Sequence, residues 1–255
     1  MPPFRTVLRT LQQSLLLGGA VLVLAGSPAQ GQSSAPLAHS GPASRPLTGQ
    51  SSVQPSAHGS RLAQFGSESA SADARRIAHW AFHSGDHRRH AVVVVDKKDA
   101  KVYVFSPDGK LQGATPALMG SAIGDHTVPG IGDKPIAQVL PAERTTPAGR
   151  FVAEPGTNAS GEDVVWVDYD AAVSMHRVRA NVKSERRLER LASSTPKDNR
   201  ISYGCINLPV VFYEKVLSPA VRSTGAVVYV LPETRPAASL FGTYDVPGNA
   251  EPARR

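Results

Sequence analysis

The chain has 255 residues, 28 Lys+Arg against 21 Asp+Glu, a formal charge of +7 and one cysteine. That length supplies ample chain for a hydrophobic core, in one ordinary domain or two small ones. A single cysteine excludes an internal disulfide framework and a cysteine-rich zinc module, whereas the positive excess alone admits any acidic partner, nucleic acid included.

At the N-terminus, Arg5 and Arg9 precede an apolar run from Leu15 to Ala25, followed by the small residues Ser27, Pro28 and Ala29. This three-part layout assigns 1–29 as a secretory signal peptide. The run falls short of the roughly 18 apolar residues of a spanning helix, so stable membrane insertion is not expected, an uncleaved anchor being the alternative. Residues 30–74 are dominated by Ser, Ala, Gly, Pro and Gln with isolated apolar positions. Such a stretch buries too little apolar surface to offset its ordering entropy and reads as a flexible tether. The folded domain is expected over 75–235. A tail, 236–255, follows, in which Leu240, Phe241 and Tyr244 offer apolar surface.

Arg75–Phe82 has the helical spacing of Ile77, Trp80 and Ala81. Ala91–Asp96 and Lys101–Phe105 are β-branched or aromatic runs joined by the polar turn Lys97-Lys98-Asp99, which predicts a hairpin. Further strands are expected at Leu111–Met119, Gly149–Glu154, Val164–Tyr169, Ala172–His176 and Ala226–Leu231, and a Gly/Pro-rich loop over Gly120–Thr146. Later helices are expected at Ser184–Ala192 and, with Pro209 in its first turn, at Pro209–Leu217. Many short strands and few helices predict a mainly β domain, a sandwich or barrel.

The lone thiol, Cys205, lies in Ser202-Tyr203-Gly204-Cys205-Ile206-Asn207. A buried cysteine packing as a small hydrophobe is one reading. A nucleophile beside Gly204, two polar residues and a following helix N-terminus is the other, and the setting leaves both open. A nucleophile needs a base. His39 and His58 fall in the tether, His79, His83, His87 and His90 read as solvated, and His126 lies in the Gly-rich loop. His176, ending an apolar strand, is the best-placed partner.

Ser202 to Asn207 resembles the S-x-G-C-x-[R/N] signature of the L,D-transpeptidase catalytic-domain family, His176 resembles that family's essential histidine, and Thr146-Pro147-Ala148-Gly149-Arg150-Phe151 resembles its T-P-x-G-x-F element. The resemblance covers about Val92 to Leu231. It departs at Arg177, where Gly or Ser is usual, at Tyr203, and in the segment Arg177–Gly204 between histidine and cysteine. It implies the family's β-sandwich or barrel and an exported enzyme of the periplasm or cell envelope, with peptidoglycan stem peptides as partner and no cofactor or metal. Cys205 would be acylated by a donor tetrapeptide with release of D-Ala, His176 would carry protons, and the N–H groups of Tyr203, Gly204 and Cys205 would hold the oxyanion. Ser202, Asn207 and Arg177 would complete the substrate side, the Arg177 carbonyl orienting the imidazole. Transfer to an amine would cross-link the third residues of two stems; transfer to water would make a carboxypeptidase or endopeptidase. A catalytically silent wall-binding protein is the further alternative, and a monomer is expected.

Between Arg177 and Arg200 stand eight basic and three acidic residues, a net +5. Without Arg5 and Arg9 the whole chain also nets +5. The excess therefore resides in this insertion, which is expected either to be a solvated helix face or to attract stem-peptide carboxylates and favour the Cys205 thiolate. It carries no aromatic residue, and with an export signal this argues against nucleic acid.

Overall fold

The computed structural model describes residues 62–247, all within one compact unit, His58–Arg255. The proposed signal peptide, the tether up to Arg61 and the end of the tail lie outside the described residues. Ordered packing begins well before Arg75. Ala63 and Phe65 are buried, and Phe65 meets Phe105 edge-on with ring centroids 5.0 Å apart. The buried ring and the backbone bonds of Gln64 to Gly109 at 2.8 Å and to Leu111 at 3.1 Å together hold this polar segment against the domain.

The first helix, α1, spans Ala72–Ser84. Ser71 caps it by accepting a hydrogen bond from the Ala74 N–H at 3.0 Å, and Gly85, at φ 74, closes it in the left-handed region. Strands β1 (Ala91–Asp96), β2 (Lys101–Phe105), β3 (Leu111–Pro116) and β4 (Met119–Gly120) follow. After a loop carrying three single 3-10 turns come β5 (Gly149–Thr157), β6 (Asp163–Asp168) and β7 (Val173–Arg177). A short helix α2 (Arg187–Ala192) precedes β8 (Arg200–Ser202) and β9 (Ile206–Leu208). Helices α3 (Val210–Phe212) and α4 (Ser218–Thr224) are joined by the π-helical turn Tyr213–Leu217, and β10 (Ala226–Val230) and α5 (Ala237–Phe241) complete the described chain.

The eight-stranded sheet runs β3-β2-β1-β10-β5-β6-β7-β9, with β4 and β8 pairing separately. The expected hairpin is present, Val93 opposite Val104, and β1 pairs in parallel with β10. Both strands are buried on both faces. Val93, Val95, Val228 and Val230 pack under Tyr213, Leu217 and Val221, while Val92, Val94, Val227 and Tyr229 pack under Ile77, Ala78, Ala81 and Phe82 of α1. A strand covered on both sides needs no polar alternation, which is why Ala91–Val95 reads as an unbroken apolar run. The nine-residue β5 joins the two halves, its first part pairing with β10 and its last with β6.

The fold is mainly β with few short helices, as expected. Several elements differ. His79 and His87 are buried rather than solvated. Burial, with the Arg75 charge beside it, holds the His79 imidazole below its ordinary value, and His87 Nδ1 lies 2.9 Å from the Ala81 carbonyl. The helix expected to stop at Leu217 instead runs on through the π-helical turn into α4 and ends at Thr224, with Pro219 in the first turn of α4. Ser184–Ala192 is broken at Arg186, φ 50, into a 3-10 turn and α2. The tail begins within the domain: α5 buries Ala237, and Arg76 pairs with Asp245 at 2.8 Å.

Candidate active site

The crossover from β7 to β9 builds the site. The two strands run parallel with Met175 opposite Ile206 and His176 opposite Asn207. Alternation along a strand places Ser174 with His176 on one face of β7, and Cys205 with Asn207 on the same face of β9 and its approach. Met175 and Ile206, fully buried, point the other way into the core. Four polar side chains are thereby gathered over an apolar base. Ser174 Oγ is 3.8 Å from Cys205 Sγ, and the thiol also reaches the Ala172 carbonyl at 3.5 Å.

The loop before Cys205 is held from behind. Gly204 has φ 134, and a Cβ there would stand 2.8 Å from the Thr145 carbonyl oxygen. Thr146 Oγ1 donates to the Gly204 carbonyl at 2.8 Å and accepts from the Gly120 N–H at 2.9 Å. Ser202 Oγ accepts from the Gly204 N–H at 3.1 Å and donates to the Cys205 carbonyl at 2.6 Å. Gly204→Ala should therefore cost about 1–3 kcal/mol of backbone strain and displace the thiol. Thermal unfolding and the iodoacetamide alkylation rate of Cys205 check this. Wild-type values for both would contradict it.

His176 Nδ1 lies 2.8 Å from the Arg177 carbonyl oxygen. A carbonyl only accepts, so Nδ1 carries the proton and Nε2 presents a lone pair. Burial pushes the Cys205 thiol up, but the hydrogen bond to His176 and the charge that the imidazole acquires once it holds the thiol proton, with Ser174, outweigh it and hold the thiol below its ordinary value. A half-buried thiol held toward its thiolate beside an imidazole lone pair is the arrangement nucleophilic catalysis requires.

The named residues divide. Cys205, His176, Ser202, Tyr203 and Asn207 line one cleft of about 590 Å³, whose walls are largely apolar through Ile136, Trp166 and Val182. Ser202 is buried and its hydroxyl is committed to the loop before Cys205, as is the Gly204 N–H, which is therefore not free to meet a ligand in the cleft. Asn207 is buried with its amide facing protein groups, and Tyr203 is exposed with the Arg144 guanidinium over its ring at 4.2 Å. The Arg177 side chain does not line the cleft. Its guanidinium pairs with Asp163 at 2.8 Å and Glu214 at 2.9 Å and lies over the Tyr213 ring, because Arg177 follows His176 on the strand and so faces the opposite way. Its carbonyl alone meets His176. No helix N-terminus adjoins the thiol, since β9 intervenes before α3.

The basic insertion is largely paired. Arg179 meets Glu162, Arg186 meets Glu189, Arg187 meets Glu185 and Arg200 meets Glu233. Arg190 is spent on the Glu185 and Asp198 carbonyls. Such pairs leave little free charge to steer a ligand. Sequence reasoning missed Ser174 and Ala172, and placed Arg187 in the basic insertion without its contact to Asn207. The two-residue spacing from Ser174 to His176 was the available signal for the first.

No protein-family model and no curated protein matches the chain. Solved structures do. The helical cell shape determining protein Pgp2 from Campylobacter jejuni is 18% identical with a TM-score of 0.36, over 57% of this chain and 49% of that one. The catalytic domain of the E. faecium L,D-transpeptidase is 20% identical with a TM-score of 0.33, over 56% of this chain and 98% of that one. The L,D-transpeptidase from Mycobacterium smegmatis is 21% identical with a TM-score of 0.31, over 55% and 58%. The chain spans about half the length of the Campylobacter protein.

Proposed function

We propose that the protein is a cysteine acyltransferase of L,D-transpeptidase type that acts on peptidoglycan stem peptides. The observation that carries the reading is the parallel β7–β9 pairing, which brings Cys205 and His176 to one face at the floor of an open cleft. Cys205 Sγ attacks the carbonyl at the L-centre of meso-diaminopimelate in a tetrapeptide, its proton passing to His176 Nε2. With the Gly204 N–H held by Ser202, the N–H groups of Tyr203 and Cys205 are the ones assigned to stabilise the developing oxyanion. Collapse breaks the C–N bond, His176 returns the proton to the departing D-Ala amine, and a thioester remains. An acceptor amine then loses a proton to His176 and attacks the thioester, which forms the new amide and restores the thiol. Water in place of the amine gives the tripeptide acid.

A wall substrate places this chemistry in the cell envelope, in keeping with the leader read at 1–29. Among the described residues no helix is long and apolar enough to cross a membrane.

The test is incubation of the protein with disaccharide tetrapeptide and mass analysis of the products. Dimer with loss of one D-Ala is the expected result. Tripeptide monomer alone would replace transfer by hydrolysis, and an unchanged substrate that stays bound would favour the silent wall-binding role.

A further inference from the structure

Arg187, in the first turn of α2, reaches the cleft beside His176 and Cys205 through Asn207. Its Nη1 donates to Asn207 Oδ1 at 2.6 Å while its Nε is held by Glu185 at 2.6 Å. A guanidinium only donates, so the end of the Asn207 amide that it meets must be the oxygen. The NH2 end is thereby turned the other way, 3.3 Å from the Cys205 carbonyl and 3.4 Å from His176 Nε2.

We propose that Arg187 is a positioning residue for the base: by pinning Asn207 Oδ1 it keeps a donor, and never an acceptor, against His176 Nε2. The consequence concerns the protonated imidazole. Nε2–H would find a stabilising partner in an amide oxygen, and with Oδ1 committed to Arg187 it finds an opposing N–H instead. The ring is thus kept from trapping the proton it must return to the leaving amine. Other charged groups around His176 are Cys205, the Glu162–Arg179 pair past the ends of β6 and β7, and the Glu185–Arg187 pair itself. Loss of Arg187 leaves the first two in place, so their contribution is common to all the variants below.

The inference rests on reading His176 as the base, but its test needs no turnover. Full-length protein carrying Cys205→Ala, which removes the coupled thiol, is titrated by NMR through the imidazole Cε1–H of His176, identified by its loss in His176→Gln. Arg187→Met should raise the proton affinity of His176 about tenfold, the size of effect that one reoriented hydrogen bond and one neighbouring charge produce. Arg187→Lys, which still only donates, should restore most of the original value. In an Asn207→Ala background, Arg187→Met should add much less, since the amide through which it acts is gone. An unchanged titration in Arg187→Met would overturn the proposal. So would an equal rise with and without Asn207, which would reduce Arg187 to a point charge. Should Arg187→Met fail to fold, Asn207→Ala and Arg187→Lys still carry the comparison: the former must raise the affinity and the latter must not. Absence of transpeptidation, by contrast, would strike the functional reading and leave this titration standing.

Discussion

Cys205→Ala is expected to yield no thioester and no product from a tetrapeptide, while its unfolding midpoint should stay close to that of the wild type. Alanine occupies the same half-buried position, and the groups that shape the loop, Ser202 Oγ, Thr146 Oγ1 and the Gly204 conformation, do not depend on the sulfur. His176→Gln keeps the nucleophile but removes the lone pair that receives its proton, so acylation should fall by about 10²–10⁴, the range supplied by a positioned general base. The two variants separate the roles. Alkylation of Cys205 by iodoacetamide is lost in the first and merely slowed in the second, because the imidazole lowers the thiol's proton affinity. Equal activity of wild type and Cys205→Ala would remove the cysteine from the mechanism.

The second large effect is on stability. Lys97 is fully buried, and its three ammonium hydrogens meet the Gly124 carbonyl at 2.6 Å, Asp125 Oδ1 at 2.9 Å and the Thr146 carbonyl at 2.9 Å. Asp125 also accepts from the Glu233 and Thr234 N–H groups at 2.7 and 3.0 Å, and Arg200 pairs with Glu233 while donating to the Lys97 carbonyl. Two cations and two carboxylates thus balance inside the domain and hold Thr146, which holds Gly204. Lys97→Met strands the buried Asp125 carboxylate and should cost about 3–5 kcal/mol, as removal of one partner from a buried pair does.

The pH dependence has a definite sign. Burial pushes the Asp125 carboxyl up, but hydrogen bonds from Thr234, Lys97 and the backbone win and hold it well below its ordinary 3.8. A depressed carboxylate contributes stability that is present above that value and is lost as pH falls through the lower folded one. In Lys97→Met the stranded carboxyl instead takes up a proton more readily, so the gap between the two proteins should narrow from neutrality toward about pH 4. Urea unfolding at both pH values measures it. A constant gap would mean that the cost comes from packing alone.

The central hairpin was legible because strands buried on both faces select β-branched runs regardless of sheet order. His176 and Cys205 were legible as a pair through motif and strand context. The parallel strand that aligns them was not, because β9 has three residues and no period can be read from three positions. Lys97 reads as one of two turn lysines, and only the acceptors of the distant segments at Asp125 and Thr146 explain its burial. The same holds for Arg177 and Arg187: composition places both in one basic insertion, whereas strand alternation sends the first to the back of the sheet and tertiary contact brings the second to Asn207. Phe65 lies in a segment whose composition predicts no packing, and a single ring found a place against Phe105 and Tyr103.

The most direct measurement of the central claim is the intact mass of the protein during incubation with a stem tetrapeptide. The arrangement of Cys205 and His176 predicts an adduct equal to the tetrapeptide less D-Ala, located by peptide mapping at Cys205 and discharged when an acceptor amine is added. An unmodified protein under those conditions, or the same adduct on Cys205→Ala, would contradict it.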